Sequence, residues 1–167
     1  MVLLCGPLTK SNLESAWQEI IAYQEQTNGG PQSVTLVINS EGDGYRALEF
    51  VDRMEKSGIT FSAKIYRANS GAALIAMAAK EREMVAGGEL EIHLGSVTIE
   101  ANEIDDTGQV TERLRIFLTA GREKTLALMA KCGFKDQGPH IDTLFATNWL
   151  LLTADECLAL GIVKRII

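Results

Sequence analysis

Residues 34–38, VTLVI, form an unbroken apolar run that enters NSEGDG and then a helical pattern with Ala47, Phe50, Val51 and Met54 on one face. An apolar run without alternation reads as a strand buried on both faces, the kind found in parallel sheets. A parallel neighbour needs a crossover, and the amphipathic helix that follows, closed by Lys56 and Gly58, supplies it.

The same succession runs along the chain. VLLC (2–5) reads as a strand, followed by a helix from about Ser11 with Leu13, Trp17, Ile20 and Ile21 on one face, ended by NGGP at 28–31. TFSAKIY (60–66) reads as a third strand, residues 71–81 as an alanine-rich helix, and LEIHL (90–94) as a fourth strand. Polar residues 100–109 lead to a long helix from about Thr107 to Gly133. Its Leu114, Phe117, Leu118, Gly121, Thr125, Leu128, Met129 and Cys132 keep helical spacing. Thr153 and Glu156 make a capping box for a short helix stopped by Gly161, and IVKRII is the last strand. This alternation predicts an α/β fold, a mostly parallel sheet flanked by helices, in one domain spanning 1–167.

Composition narrows the function. The chain is 46% hydrophobic and 23% charged, as globular proteins are, and no apolar run reaches the roughly 18 residues of a membrane span. A soluble protein without a membrane partner is expected. The opening MVLLCGPLT lacks a basic n-region, so nothing directs export and a cytoplasmic location is expected. Cys5, Cys132 and Cys157 lie far apart in apolar surroundings without CxxC pairing, which predicts reduced, buried thiols, with neither disulfides nor zinc. Two histidines exclude a multi-histidine metal centre, and no cofactor is expected. A net charge of −6 without a basic cluster argues against nucleic acid, leaving peptides, small molecules or further copies of the chain as partners.

Sites in parallel α/β folds gather at the carboxyl ends of strands. Three elements fall there: NSEGDG (39–44), ANSG (68–71) and His93. A serine hydroxyl is a weak nucleophile that needs an adjacent base, and acyl transfer needs N–H donors where the oxyanion develops. Ser70 precedes a helix whose first residue, Gly71, carries an uncommitted N–H and no side chain to block a substrate. The Gly42 and Asp43 amides are candidates for the second donor, and His93 is the candidate base, since His140 lies in a Gly-Pro loop. Each feature also has an ordinary explanation. A serine before a helix is most often an N-cap, a lone strand histidine is most often a packed residue, and NSEGDG can be a plain connection. Their order at the strand ends of one fold favours a site.

Longer stretches carry a family resemblance. VTLVINSEGDGYRALEFVDRM resembles the strand, Asn-Ser-Pro-Gly-Gly turn and following helix of the Clp protease proteolytic subunit, within the wider Clp/crotonase superfamily. NSGAALIAMAAKEREMVAGGELEIHLG resembles that family's nucleophile helix, the basic residue after it (Arg82) and the strand ending in the catalytic histidine. LLLTADECLALGIVKRI resembles its C-terminal segment, so the similarity covers nearly the whole chain.

The resemblance implies a Clp/crotonase-like fold of repeated ββα units with a long, protruding, handle-type helix, which in the family interlocks two heptameric rings. It implies a serine-type endopeptidase hydrolysing peptides or unfolded proteins, with Ser70 as nucleophile, His93 as general base, and the N–H groups of Gly71 and the Gly42/Asp43 turn as oxyanion hole. It implies a homo-oligomer, a ring of hexamer or heptamer type or a double ring, and raises the question of an ATPase unfoldase partner. The family's catalytic aspartate falls on Trp149, which cannot accept a histidine proton. Asn148 is the neighbouring candidate to orient the imidazole and Asp142 a second. The turn's proline is Glu41 here and its second glycine Asp43, both adding negative charge beside the proposed oxyanion hole. Alternatives are a register that puts Leu74 at the serine position, a Ser/Lys pair using Lys64 or Lys80, an acyl-CoA enzyme of crotonase type, and a catalytically impaired or inactive structural or regulatory subunit.

Overall fold

Each of the first four strands pairs with the one before or after it in the chain. The computed structural model describes residues 1–26, 33–94, 112–134 and 139–167, with backbone alone at 112–117. Strands β1 (Val2–Pro7), β2 (Ser33–Gly42), β3 (Thr60–Ser70) and β4 (Glu81–Ile92) lie side by side in that order, all parallel. The helices α1 (Lys10–Gln26), α2 (Gly44–Lys56) and α3 (Gly71–Ala78) make the crossovers. Right-handed crossovers along an order that advances in one direction put all three on one face of the sheet. There α1 contacts α2, and α2 contacts α3.

The strands alternate accordingly. Val2, Leu4, Leu36, Ile38, Phe61, Ile65, Leu90 and Ile92 are buried under the helices, while Leu3 and Tyr66 are 60% and 42% exposed. VTLVI is therefore not buried on both faces: Thr35 and Val37 are half-buried, and Thr35 Oγ1 meets Ser62 Oγ at 2.9 Å across the strands. One-sided helix stacking is the reason for this correction. A second correction concerns the ββα units. Among the described residues one continuous strand, not two, precedes each of α1, α2 and α3. Long strands bend instead of breaking: pairing jumps from Ile65↔Met84 to Arg67↔Glu89, so that Val85–Gly88 bulges from the ladder.

The alanine-rich helix ends at Ala78, short of residue 81, because Ala79 turns extended and the Lys80 N–H pairs with the Phe61 carbonyl at 2.8 Å. β4 thus begins at Glu81, nine residues before LEIHL. Arg82 fixes this exit: its buried guanidinium donates to the carbonyls of Ala79 and Ile162, clamping the end of α3 to the C-terminal segment. Arg82→Met should lower stability by about 2–3 kcal/mol, read by denaturant unfolding, since two carbonyls lose a charged donor.

Among the described residues the remaining helices are α4 (Glu112–Lys131), α5 (Pro139–Thr147) and α6 (Ala154–Ala159), and the remaining strands are β5 (Leu150–Thr153), antiparallel to β4, and the short β6 (Arg165–Ile166), parallel to it. His140 accordingly lies within a helix, α5, and not in a loop. The capping box at Thr153 and Glu156 is formed, and its hydrogen bonds from Thr153 hold the Glu156 carboxyl below its ordinary pKa. That contribution is present at neutral pH and is lost as acidification protonates Glu156. Thr153→Ala should cost about 1 kcal/mol at neutral pH and less in acid, measured by thermal unfolding.

At 20 residues α4 is about 30 Å long. Its second half does not protrude: Thr125, Leu128 and Met129 are buried against α2 and α3, and Lys124 reaches Glu55 at 2.6 Å and Asp52 at 3.4 Å on α2. The apolar stripe is core packing there. The expected NGGP turn, the polar break at 100–109, the start of the long helix at Thr107 and the side chains of Leu114 and Phe117 lie outside the described residues. Cys5 is exposed and not buried, because odd positions of β1 face away from the helices. Cys132 and Cys157 are buried as expected, and burial pushes both thiols up, Cys157 to about 12, so they stay protonated and inert. No described helix is long and apolar enough to cross a membrane.

Candidate active site

At the junction of β3 and α3 the chain turns sharply, and Ser70 sits on the turn with φ +57° and ψ −119°. That is a strained conformation for a residue with a Cβ, costing on the order of 1–3 kcal/mol. Ser70 occupies the N-cap position of α3, yet its side chain makes no capping hydrogen bond. The ordinary explanation of this serine, an N-cap, therefore does not hold. A side chain held on a strained strand-to-helix turn at the end of a helix is how a nucleophilic hydroxyl is presented at a sheet edge.

Gly71 makes the turn possible. A Cβ there would lie 2.2 Å from the Gly42 carbonyl oxygen, 2.7 Å from that of Asp43 and 2.9 Å from Ala47 Cβ. The Ser70–Gly71 backbone thus presses directly on the Gly42–Asp43 turn, where Gly42 has φ +108° and pairs in register with Ser70. The turn itself is pinned to β1. Ser40 Oγ donates to the Gly6 carbonyl at 2.5 Å, and the Leu8 N–H donates to the Glu41 carbonyl at 2.8 Å.

Ser70, His93, Gly71, Gly42 and Asp43 all line one cleft of about 320 Å³, within the range of small-molecule and peptide side-chain pockets. Leu48, Leu74 and Leu118 form its apolar wall, and α4 closes it with Gly121, Arg122 and Thr125. Leu74, the rival for the serine position, is one turn along α3 from Ser70 and serves as wall. Tyr45 and Arg122 were not anticipated from sequence; Tyr45 is in the first turn of α2, and Arg122 stacks over the Phe145 ring at 5.0 Å.

The charges anticipated beside the turn are directed elsewhere. Asp43 caps α2, its carboxylate accepting the Arg46 N–H at 3.1 Å and pairing with Arg46 Nε at 2.9 Å. Glu41 pairs with Arg67 at 2.5 Å, and Arg67 also holds Glu89 at 3.0 Å. Asp43 has a cation to itself, which reduces the penalty expected for an oxyanion nearby, whereas Glu41 shares Arg67 with Glu89 and is only partly compensated.

His93 follows the last residue of β4 and is partly buried. Its imidazole lies flat on the Trp149 indole, centroids 5.6 Å apart and planes 8° apart. Trp149 is 50% exposed and stands outside the cleft lining, so it does not fill the pocket. Asn148, in the left-handed region at φ +57°, accepts the Leu94 N–H on its Oδ1 at 3.2 Å. Asp142 is an exposed residue in the first turn of α5 and does not line the cleft. Lys64 lies over the Tyr66 ring and Lys80 beyond α3, and neither lines the cleft with Ser70. No group of three or more potential metal-ligating residues occurs among the described residues.

No protein-family model matches the chain, and no curated protein matches it. Solved structures do. The crystal structure of a peptidase from Plasmodium falciparum superposes with a TM-score of 0.77, covering 99% of this chain and 94% of that one, at 13% identity. At that identity the likeness establishes a shared α/β fold over almost the full length of both chains.

Proposed function

We propose that the protein is a serine peptidase of Clp type, hydrolysing peptide bonds through a Ser70 acyl-enzyme. The observation that carries this reading is the strained, non-capping Ser70 in the same cleft as His93, Gly71 and the Gly42–Asp43 turn. The fold shared with a solved peptidase lends support.

In this reading His93 takes the Ser70 hydroxyl proton as Oγ bonds to the scissile carbonyl carbon. The negative charge that develops on the carbonyl oxygen is met by the N–H of Gly71 and of the Gly42/Asp43 turn. Collapse breaks the C–N bond, His93 returns the proton to the leaving amine, and water then repeats the sequence to release the acid. The apolar wall of Leu48, Leu74 and Leu118 receives the substrate side chain. A cytoplasmic ring of identical subunits, with an ATPase unfoldase as possible supplier of unfolded chains, is part of the same proposal.

A fluorophosphonate probe tests it. Stoichiometric addition to the folded protein, mapped to Ser70 by peptide mass and accompanied by native mass measurement of the assembly, is expected. A folded, assembled protein that takes no probe would instead favour the non-catalytic subunit, the second reading, which the lack of a carboxylate at position 149 recommends.

A further inference from the structure

The strand tip bearing His93 is gripped by the segment leaving α5. Thr147 Oγ1 accepts the Trp149 N–H at 3.2 Å and lies 2.8 Å from the carbonyls of both Thr143 and Trp149, to which its one proton is donated, so the segment is held against the end of α5. Asn148 then ties it to β4 through the Leu94 N–H, one residue beyond the imidazole. The outcome is the nearly parallel stack of Trp149 on His93, at a separation typical of offset aromatic pairs. Half of the indole remains open to solvent, so burial of Trp149 in the core does not explain the contact.

We propose that Trp149 is a positioning residue for His93: its indole face fixes the plane of the imidazole and favours the imidazolium formed when the ring takes the serine proton. This rests on the peptidase reading. A neutral imidazole gains packing from the indole, whereas an imidazolium gains in addition from the negative face of the ring, so the attraction grows as the proton arrives. An interaction that strengthens towards the transition state raises kcat and not substrate affinity. Among aromatic side chains the indole is the strongest partner for a cation, which predicts a graded order of Trp, then Phe, then Ala. Mere steric support would make Phe equal to Trp.

The chain has only two histidines, so the imidazole C–H resonances of His93 are assigned by comparison with His140→Gln. In the native protein the His93 signals are expected upfield, displaced by the indole; Trp149→Ala removes the displacement and Trp149→Phe keeps part of it. Peptide hydrolysis should follow, with kcat lowered about tenfold in Trp149→Ala, about threefold in Trp149→Phe, and KM unchanged in both. Native kcat in Trp149→Ala, Phe equal to Trp, or Phe no better than Ala, would overturn the proposal. The exposed position keeps both variants foldable, and circular dichroism confirms it on the same samples. A native protein that neither hydrolyses peptide nor takes the fluorophosphonate fails the peptidase reading and this proposal together. Native activity that Trp149→Ala leaves intact fails this proposal alone.

Discussion

Ser70→Ala is expected to lower peptide hydrolysis by about a thousandfold or more while leaving the folded protein intact, because the acyl-accepting oxygen is gone and the backbone is not relieved. Ser70→Gly is expected to be equally inactive but more stable, by about 1 kcal/mol in thermal unfolding. Glycine adopts φ +57°, ψ −119° without the penalty that any Cβ incurs there. Together the two substitutions separate the hydroxyl from the turn that presents it. An alanine variant that retains hydrolysis would remove Ser70 from the chemistry. A glycine variant no more stable than alanine would remove the strain.

The second large effect is at Gly71, where an added methyl has nowhere to go. Two of the three atoms it would strike are backbone carbonyl oxygens, one at 2.2 Å, and neither is the tip of a flexible side chain. Gly71→Ala must push α3 away from the Gly42–Asp43 turn, and a loss of about 3 kcal/mol is expected in denaturant unfolding. Whatever folds should be inactive, since the displacement separates the Ser70 turn from the amides proposed to meet the oxyanion. This glycine is therefore required by the close approach of two strand ends before any catalytic role is considered.

The parallel order of the sheet was legible because each apolar run is followed by a helix with a single apolar face, as in 34–56. What was missed has local causes. The start of β4 at Glu81 was not legible because its period of two, with Arg82 and Met84 buried and Glu81 and Glu83 half-buried, is masked by the helical alanines running into it. α5 was hidden by the Gly-Pro pair, although Pro139 as the first helical residue is itself a start signal. The exposure of Cys5 and of one face of VTLVI could not be read from hydropathy, because it follows from all three crossover helices taking the same side.

At the site, spacing brought out Ser70, His93 and the glycine turn, and the structure gathers them around one cleft. The fate of the acidic residues was not legible: Asp43 looks like a charge beside an oxyanion hole until its carboxylate is seen capping α2. Asn148, the candidate to orient the imidazole, is tied to the neighbouring Leu94 N–H, and Trp149, which cannot accept a histidine proton, stacks on the ring. Contacts between an edge loop and a strand tip 54 residues away in sequence, as here between Leu94 and Asn148, leave no periodicity to read.

The most direct test of a Ser70/His93 pair is the rate of Ser70 phosphonylation by a fluorophosphonate in the native protein and in His93→Ala, both verified as folded. The pair predicts rapid labelling of the native protein and a rate lower by about a hundredfold or more without the imidazole, since the hydroxyl then lacks its base. Equal rates in the two proteins would mean that the two side chains do not act together, and would contradict the account.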